Sequence, residues 1–453
     1  MVCSLQAALR YHLASLSLLT ARCEAGCAGL RDEHSRGVLK RMNEYKFVQI
    51  GAGNIGRSFV GQLFAGAGFE VVFIDVVPAV VNALNERGHY SVEIKDREPA
   101  TIRVAGVRAV DGRDLEAAAK ELADCRLCAT AVGPGALNYI YPTIARALAM
   151  RVAASEPPLD IIICENMRDA AEAFRAGLGK LLPNDFPLDE SIGLVETSIG
   201  KMVPIMSQAD RARDPLLVFA EAYNTLICDA CGFKNDIPDV AGLDPKQNMK
   251  AYVDRKLFIH NLGHALCAYL GHVYDPALQY TYETVEHEVL RPAIRAGMWE
   301  SALALIRQYP EEFDEDNQAE HVDDLLSRFA NRALGDTLYR VGRDVRRKLS
   351  REDRVTGAIV CDLQNGMEPK LTSVCAAGGL RFRATDETGQ MYPPDRQFAA
   401  ELWPQGIDLM LQEVCGLGYD VDVEKVAIDR IKQADAVLHE LLLSATPDWE
   451  KVL

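Results

Sequence analysis

The chain has 453 residues, of which 49% are hydrophobic and 25% charged, a composition typical of a folded globular protein with two or three domains. Its 65 acidic residues outnumber the 49 basic ones and give a net charge of −16. A field of that sign repels nucleic acids and anionic membranes, and no apolar run reaches the roughly 18 residues of a membrane span. We therefore expect a partner that is a small molecule, and neither nucleic acid nor membrane.

The 12 cysteines are scattered without the spacing of a disulfide scaffold, which favours a reducing compartment. Two CxxC pairs occur, Cys125/Cys128 and Cys228/Cys231. They lie about a hundred residues apart, whereas zinc ribbons separate such pairs by roughly 15–20 residues. The sequence therefore predicts no metal site, and Cys125 and Cys128 are interpreted as small apolar residues flanking a buried strand.

Residues 1–42 are predicted to be an extension outside the fold. The stretch from Met1 to Cys23 contains two arginines and no acid, with an apolar patch from Leu13 to Leu19. This is weakly similar to a targeting segment, and the alternative is a poorly ordered extension. We expect a cytoplasmic protein, with organelle targeting left open.

A strand, a glycine turn, a helix and a second strand follow from Lys46. The first strand is Phe47–Ile50, the helix extends to Ala67 and the second strand is Glu70–Asp75. The turn between them has the G-x-G-x-x-G spacing of a dinucleotide site, in which the first glycine makes the turn, the second admits the pyrophosphate and the third packs helix on strand. The predicted cofactor-binding residues of the turn are Gly51, Gly53, Asn54, Ile55 and Gly56.

Asp75 ends the second strand, 24 positions after Gly51. A carboxylate there accepts a hydrogen bond from the ribose 2′-hydroxyl and repels a 2′-phosphate, so NAD is predicted rather than NADP. An ordinary acid at a strand end is the alternative interpretation. A flavin is disfavoured because further glycine-rich motifs are missing from the sequence.

Later strands are predicted at Val104–Val110, Leu127–Val132, Leu159–Cys164 and within Gly193–Met206. Their alternation with helices indicates an α/β fold, with a Rossmann-like doubly wound domain over residues 43–242. The turn that follows Leu127–Val132 is expected to bring Val132 and Gly133 beside the nicotinamide. After residue 242 long amphipathic segments, Asn248–Leu270 and Val285–Gln308, predict a mainly α-helical C-terminal domain over residues 243–453.

One helix of that domain carries candidate catalytic groups. Lys256, His264 and Asn261 fall at roughly 0, 80 and 140 degrees around an ideal helix, so they can face one cleft. A desolvated lysine can act as the acid and base for an alcohol and its carbonyl without a metal, while the amide and imidazole hold the oxygen. The alternative is a solvated lysine and a hydrogen-bonded core histidine.

The segment K-L-F-x-x-N-x-G-H-A-x-x-A-Y-L-G, from Lys256 to Gly271, resembles the signature helix of the polyol-specific long-chain dehydrogenases, the mannitol dehydrogenase family, in its mannitol-1-phosphate branch. Further similar motifs are the glycine turn, the C-E-N-M segment at 164–167, R-F-x-N at 328–331 and the arginine-rich stretch from 340 to 354. The resemblance covers about Lys46 to Arg354.

The resemblance implies a metal-independent, monomeric enzyme that transfers a hydride between NAD and mannitol 1-phosphate, giving fructose 6-phosphate. It implies Lys256 as the general acid and base, with Asn261 and His264 at the reacting oxygen and Asn166 on the sugar. Three alternatives stay open: a free-polyol dehydrogenase, a hexuronate reductase of the same superfamily, and a non-catalytic dinucleotide-binding sensor.

A basic segment is the candidate phosphate site. Residues 340–354 contain seven basic and three acidic side chains in a chain that is acidic as a whole. Guanidinium groups match phosphate oxygens bidentately, although such a run can also be a solvated helix face. Arg340, Arg343 and Arg347 are predicted to share one helical face with Lys348 close by, and Arg343 and Lys348, which match the family motif, are the leading candidates alongside Arg340.

Overall fold

The computed structural model describes residues 45–204, 206–444 and 446–453. The extension predicted over residues 1–42 lies outside this range. Within the described chain, no helix has both the length and the apolar character needed to cross a membrane.

Parallel strands dominate the first half of the chain. One sheet has eight strands in the order β11-β10-β8-β7-β6-β1-β2-β5, all neighbours being parallel except β8 and β10. From β5 to β8 this is the strand order of a doubly wound dinucleotide-binding fold. The strands are β1 Lys46–Ile50, β2 Glu70–Asp75, β5 Val107–Asp111, β6 Leu127–Thr130, β7 Leu159–Ile163, β8 Ile192–Ser198, β10 Leu226–Asp229 and β11 Leu243–Lys246.

A small second sheet has the order β4-β3-β9, with β3 His89–Ile94, β4 Ala100–Ala105 and β9 Val218–Ala220. The strand predicted over Val104–Val110 is therefore wrong in extent, because the structure divides it into β4 and β5. Gly106, with φ of +75°, lies between them and turns the chain from one sheet to the other.

Helices cover both faces of the large sheet, which explains why β1 and β7 are buried along their whole length. A π-helical turn, Gly56–Gly61, leads into the first helix. The helices of this part are α1 Gln62–Gly66, α2 Pro78–Arg87, α3 Leu115–Ala123, α4 Leu137–Ala154, α5 Ala170–Gly179, α6 Leu188–Ser191 and α7 Gln208–Arg213.

The second half of the described chain is helical, as predicted. It has a large apolar core of its own, in which Leu266 and Tyr269 are fully buried. The helices are α8 Met249–Arg255, α9 Leu262–Tyr274, α10 Thr281–Val285, α11 Leu290–Gln308, α12 Glu315–Phe329, α13 Leu338–Gly342, α14 Val345–Lys348, α15 Thr356–Gln364, α16 Lys370–Leu380, α17 Pro393–Glu401, α18 Ile407–Glu413 and α19 Asp422–Leu443.

Two residues of the R-F-x-N motif join the helical part to the sheet part. The guanidinium of Arg328 donates to Glu221 at 2.6 and 2.8 Å, and the amide of Asn331 donates to the carbonyl of Lys95 at 2.9 Å. Arg328 and Glu221 are both largely buried, so loss of either partner would leave the other charge buried with less compensation and should destabilise the fold. The contacts of this motif therefore hold the end of α12 against the loops after β9 and β3.

Candidate active site

The glycine turn after β1 has the geometry that its sequence predicts. Gly51 has φ of +94°, and a Cβ atom there would lie 2.5 Å from the carbonyl oxygen of Ala131. A Cβ on Gly56 would lie 2.0 Å from the carbonyl oxygen of Gly51, so neither position can hold a larger residue. A Cβ on Gly53 would meet nothing within 4 Å. Gly53 therefore leaves open the space that a pyrophosphate would need.

Asp75 is tied to this turn. Its carboxylate accepts the backbone N–H of Ala52 at 2.7 Å and that of Val77 at 2.9 Å. Each carboxylate oxygen has a second lone pair, so these bonds leave acceptor capacity for a ribose hydroxyl. The carboxylate thus fixes the turn as well as the strand end.

A cavity of about 570 Å³ opens between the carboxyl ends of β1 and β2 and the turn after β6. Its volume is within the usual range for ligand and cofactor sites. The predicted cofactor residues that line it are Gly51, Gly53, Asp75 and Val132; further lining residues include Val76, Arg113 and Tyr139. The other predicted cofactor residues do not line the cavity: Asn54, Ile55, Gly56 and Gly133. The residues at this edge of the sheet fit a dinucleotide.

Glu165 connects this edge to the neighbouring strand, a contact that sequence reasoning missed. Its buried carboxylate accepts the backbone N–H of Val132 at 2.9 Å and that of Gly133 at 2.7 Å. Gly133 has φ of +87°, a conformation that favours glycine. Glu165 therefore fixes the turn that was predicted to lie beside the nicotinamide. The signal in the sequence was its position at the end of β7, next to Asn166.

The predicted catalytic helix is helical throughout, but its hydrogen-bond pattern changes along its length. Residues Lys256–Asn261 form a π-helical turn between α8 and α9. Such turns insert an i→i+5 pattern into an α-helix and are frequent at functional sites. The ideal helical spacing used for the prediction therefore does not hold across this turn.

Lys256 and Asn261 nevertheless line one cavity, of about 200 Å³, together with Asn166. The Nζ atom of Lys256 lies 3.4 Å from Oδ1 of Asn166, at the end of β7. A lysine from the helical part and two amides thus converge beside the carboxyl edge of the sheet.

The surroundings of Lys256 favour its neutral form. Burial, and secondarily the positive charge of Arg354, lower the pKa of Lys256 to about 8. A lysine with such a pKa is divided between its protonated and neutral forms near neutral and mildly alkaline pH. It can accept a proton from an alcohol or donate one to a carbonyl oxygen.

The third predicted catalytic residue, His264, lies in the first turn of α9. It is not among the residues that line the cavity of Lys256, and its ring packs 4.3 Å from that of Phe329, centroid to centroid. Burial lowers the pKa of His264 well below its usual value, with further lowering by Arg340 and Arg354, so the ring is neutral. Its Nε2 atom is buried and has no hydrogen-bond partner among the described residues. Its predicted role at the reacting oxygen stays a prediction.

The basic segment does not form one helix. Helix α13 ends before Arg343, and Asp344 adopts a left-handed conformation with φ of +70° before α14 begins. The expectation that Arg340, Arg343 and Arg347 share a helical face is therefore wrong. The left-handed residue rotates the second short helix relative to the first.

The leading phosphate candidates do not line the lysine cavity. Arg343 is exposed and lies 5.5 Å from the rings of both Tyr339 and Tyr392. Lys348 is buried and donates to the carbonyl of Val341 at 2.6 Å, and burial lowers its pKa well below the usual value. Arg340 forms an ion pair with Asp336. The role of these three residues in binding phosphate stays a prediction.

Other arginines do line the cavity: Arg347 and Arg354 of the basic segment, and Arg168 from the loop after β7. Arg168 was missed by sequence reasoning. The available signal was its place two positions after Asn166, directly behind the C-E-N-M segment.

The four cysteines of the two CxxC pairs differ in burial. Cys125 and Cys128 are buried, the second within β6, whereas Cys228 is buried and Cys231 exposed. Among residues 45–204, 206–444 and 446–453, no group of three or more His, Cys, Asp or Glu side chains is placed to hold a metal ion.

A Rossmann-type sheet with a dinucleotide-sized cavity, next to a lysine from a helical domain, defines a dinucleotide-dependent oxidoreductase. Residues 45–242 match the family model of the mannitol dehydrogenase Rossmann domain, and residues 248–414 match that of the mannitol dehydrogenase C-terminal domain. The chain belongs to the mannitol dehydrogenase family. This confirms the predicted fold class and supports NAD as the predicted cofactor.

Two solved structures are similar over most of the chain. Mannitol 2-dehydrogenase of Pseudomonas fluorescens, in a ternary complex with NAD and D-mannitol, has 16% identity and a TM-score of 0.65, with 88% of this chain and 92% of that chain covered. A D-sorbitol dehydrogenase in substrate-free form has 15% identity and a TM-score of 0.70, with 88% and 94% covered. At these identities the likeness establishes a shared fold.

Proposed function

We propose that the protein interconverts mannitol 1-phosphate and fructose 6-phosphate with NAD(H). The observation that carries the proposal is the cavity in which Lys256, with its pKa lowered to about 8, adjoins Asn166 and the guanidinium groups of Arg347 and Arg354. An acid/base group and cations suited to an anionic substrate thus share one cavity.

NAD is proposed as the cofactor because the open space at Gly53 and the carboxylate of Asp75 fit its pyrophosphate and its ribose hydroxyl. The related mannitol 2-dehydrogenase is described as a complex with NAD and D-mannitol. When bound, NAD would supply the hydride acceptor for oxidation of the alcohol carbon, and NADH the hydride donor for reduction of the carbonyl carbon.

The chain's own residues supply the proton chemistry. In the oxidative direction neutral Lys256 accepts the hydroxyl proton, and in the reductive direction its ammonium form donates a proton to the carbonyl oxygen. Asn166 and Asn261 orient that oxygen through their amide groups, since an amide can both donate and accept. Glu165 keeps the turn at Val132 and Gly133 in place, and this turn would support the nicotinamide end of the cofactor.

A free-polyol dehydrogenase is the second candidate. The observation that favours it is that the two structurally similar proteins described above are named for unphosphorylated polyols, mannitol and sorbitol. In this alternative Arg347 and Arg354 are held by the acids beside them, and substrate binding depends on hydroxyl contacts alone.

A substrate comparison separates these functions. NADH oxidation is measured with fructose 6-phosphate, fructose and a keto-hexuronate, and NAD reduction with mannitol 1-phosphate and mannitol. We expect the phosphorylated pair to give the higher kcat/KM in both directions. Equal or better turnover of the free sugars would favour the second candidate, whereas NADH binding without turnover of any substrate would indicate a dinucleotide sensor.

A further inference from the structure

The three arginines that line the lysine cavity differ in how their guanidinium groups are engaged. Arg347 donates to Asp353 at 2.9 Å and is also bonded to Asp344, while Arg354 donates from Nε to Asp353 at 2.8 Å. A shared carboxylate therefore neutralises part of the charge of both residues. An incoming anion would have to compete with Asp353 for them.

Arg168 is less constrained. Its two nearest carboxylates are Asp254 at 4.0 Å and Glu352 at 3.8 Å, both longer than a hydrogen bond, and Glu352 is 78% exposed. The exposed pair with Glu352 contributes little to stability, and the buried carboxylate of Asp254 already accepts hydrogen bonds from Lys250 and Tyr309. The planar fork of Arg168 can therefore turn toward a phosphate at small cost, and its geometry suits bidentate contact.

Arg168 borders two cavities, and their charges differ. The one of about 280 Å³ is lined by two basic residues, Arg168 and Lys250, and four acidic ones, Glu165, Asp169, Glu196 and Asp254. The one of about 200 Å³ is lined by four basic residues, Lys256, Arg168, Arg347 and Arg354, and three acidic ones, Glu165, Glu352 and Asp353. Of the two cavities, the one that Lys256 lines is therefore the better suited to an anion.

The spacing along the loop fits a sugar phosphate. Asn166, whose amide oxygen contacts Lys256, precedes Arg168 by two positions, and two residues of extended chain span at most roughly 7 Å. Arg168 and Lys256 also line the same cavity of about 200 Å³, so a single sugar phosphate in that cavity can contact both side chains.

We propose that Arg168 binds the phosphate of the substrate and that it determines the preference for a phosphorylated over a free sugar. This inference rests on the proposed function. In the same loop Asn166 then contacts the reacting end of the substrate and Arg168 its anionic end. One segment therefore determines how the substrate is positioned in the cavity.

The test compares Arg168→Gln and Arg168→Lys with a matched control, Arg175→Gln. Arg175 is an exposed arginine of α5 paired with Asp189 and lines neither cavity. For each variant we would measure KM and kcat for fructose 6-phosphate and for fructose, the inhibition constant of inorganic phosphate against the sugar, and the melting temperature.

We expect Arg168→Gln to raise KM for fructose 6-phosphate and the inhibition constant of phosphate at least tenfold, because a charge-assisted bond is lost. Its kinetics with fructose and its melting temperature should match those of Arg175→Gln. Arg168→Lys should be intermediate, since it keeps the charge and loses the fork. Equal changes for both sugars, or no change for phosphate, would overturn the role of Arg168.

The same measurements distinguish failure of the proposed function from failure of the role of Arg168. If the wild-type protein prefers fructose but phosphate still competes, and Arg168→Gln abolishes that competition, Arg168 is an anion site and the substrate assignment is wrong. If the wild-type protein prefers fructose 6-phosphate and Arg168→Gln does not alter that preference, the substrate assignment holds and Arg168 is not its anchor.

Discussion

Lys256 Nζ lies 3.4 Å from Asn166 Oδ1, although 90 positions separate the two residues in the chain. One belongs to the π-helical turn of the helical domain and the other follows β7 of the sheet. Their meeting defines where an alcohol or carbonyl oxygen would lie, because both groups can bond to the same oxygen atom.

Replacing Lys256 with alanine should remove turnover without unfolding the protein. General acid–base catalysis contributes roughly 10²–10⁴-fold to the rate, and the loss should be at least of this size. NADH binding, followed by fluorescence, and the melting temperature should remain near those of the wild type. Activity close to normal would contradict the role of Lys256.

The pH dependence of the two reaction directions should be opposite. Lys256 is neutral above its pKa of about 8, so oxidation, which needs a base, should rise as pH increases through about 8. Reduction needs the ammonium form and should fall over the same interval. The measurement is kcat in each direction between pH 6 and 10, a window of about two units on either side of that value.

Arg354→Gln should shift both of these profiles to higher pH, because the charge of Arg354 lowers the pKa of Lys256. The control is Arg346→Gln, an exposed arginine of the same segment that does not line the cavity. If the two variants gave the same profile, burial alone would account for the low pKa of the lysine.

Asp75→Ala should weaken NAD binding and reduce the preference for NAD over NADP. The change removes a ribose hydrogen bond and a charge that repels a 2′-phosphate. It also frees the backbone N–H of Ala52, so the glycine turn should loosen. The measurement is the ratio of kcat/KM values with NAD and NADP. An unchanged ratio would show that Asp75 does not determine the cofactor preference.

Substitutions at two of the three glycines of the turn should have different effects, one on NADH binding and the other on stability. Gly53→Ala should keep the melting temperature and weaken NADH binding, because the new Cβ meets no protein atom and occupies the open cofactor space. Gly56→Ala should lower the melting temperature, since its Cβ would overlap the carbonyl oxygen of Gly51 at 2.0 Å. Normal NADH affinity in Gly53→Ala would contradict this assignment of the pyrophosphate.

Chelators should leave the enzyme fully active. The acid–base chemistry assigned to Lys256 needs no Lewis acid, and the sequence predicts no ligand set. The measurement is NADH oxidation after dialysis against a chelator, compared with the untreated protein. Inhibition that zinc reverses would overturn the metal-independent mechanism.

The sequence by itself determined the features that depend on neighbouring residues. The strands of the first βαβ unit, the glycine turn and Asp75 follow from local periodicity and from a backbone conformation that favours glycine, and the structure has them at the predicted positions. The lysine-bearing helix was also predicted, since its apolar pattern is local.

Only the tertiary structure decided which distant groups meet. Glu165 bonds to the turn at Val132 and Gly133, and Arg168 reaches the lysine cavity, because the carboxyl ends of adjacent parallel strands share one edge of the sheet. Charge counting could not find the left-handed break at Asp344 that divides the basic segment, since a single backbone dihedral there redirects every side chain that follows. Which arginines face Lys256 is therefore a property of the packed chain, whereas the presence of a basic segment is a property of the sequence.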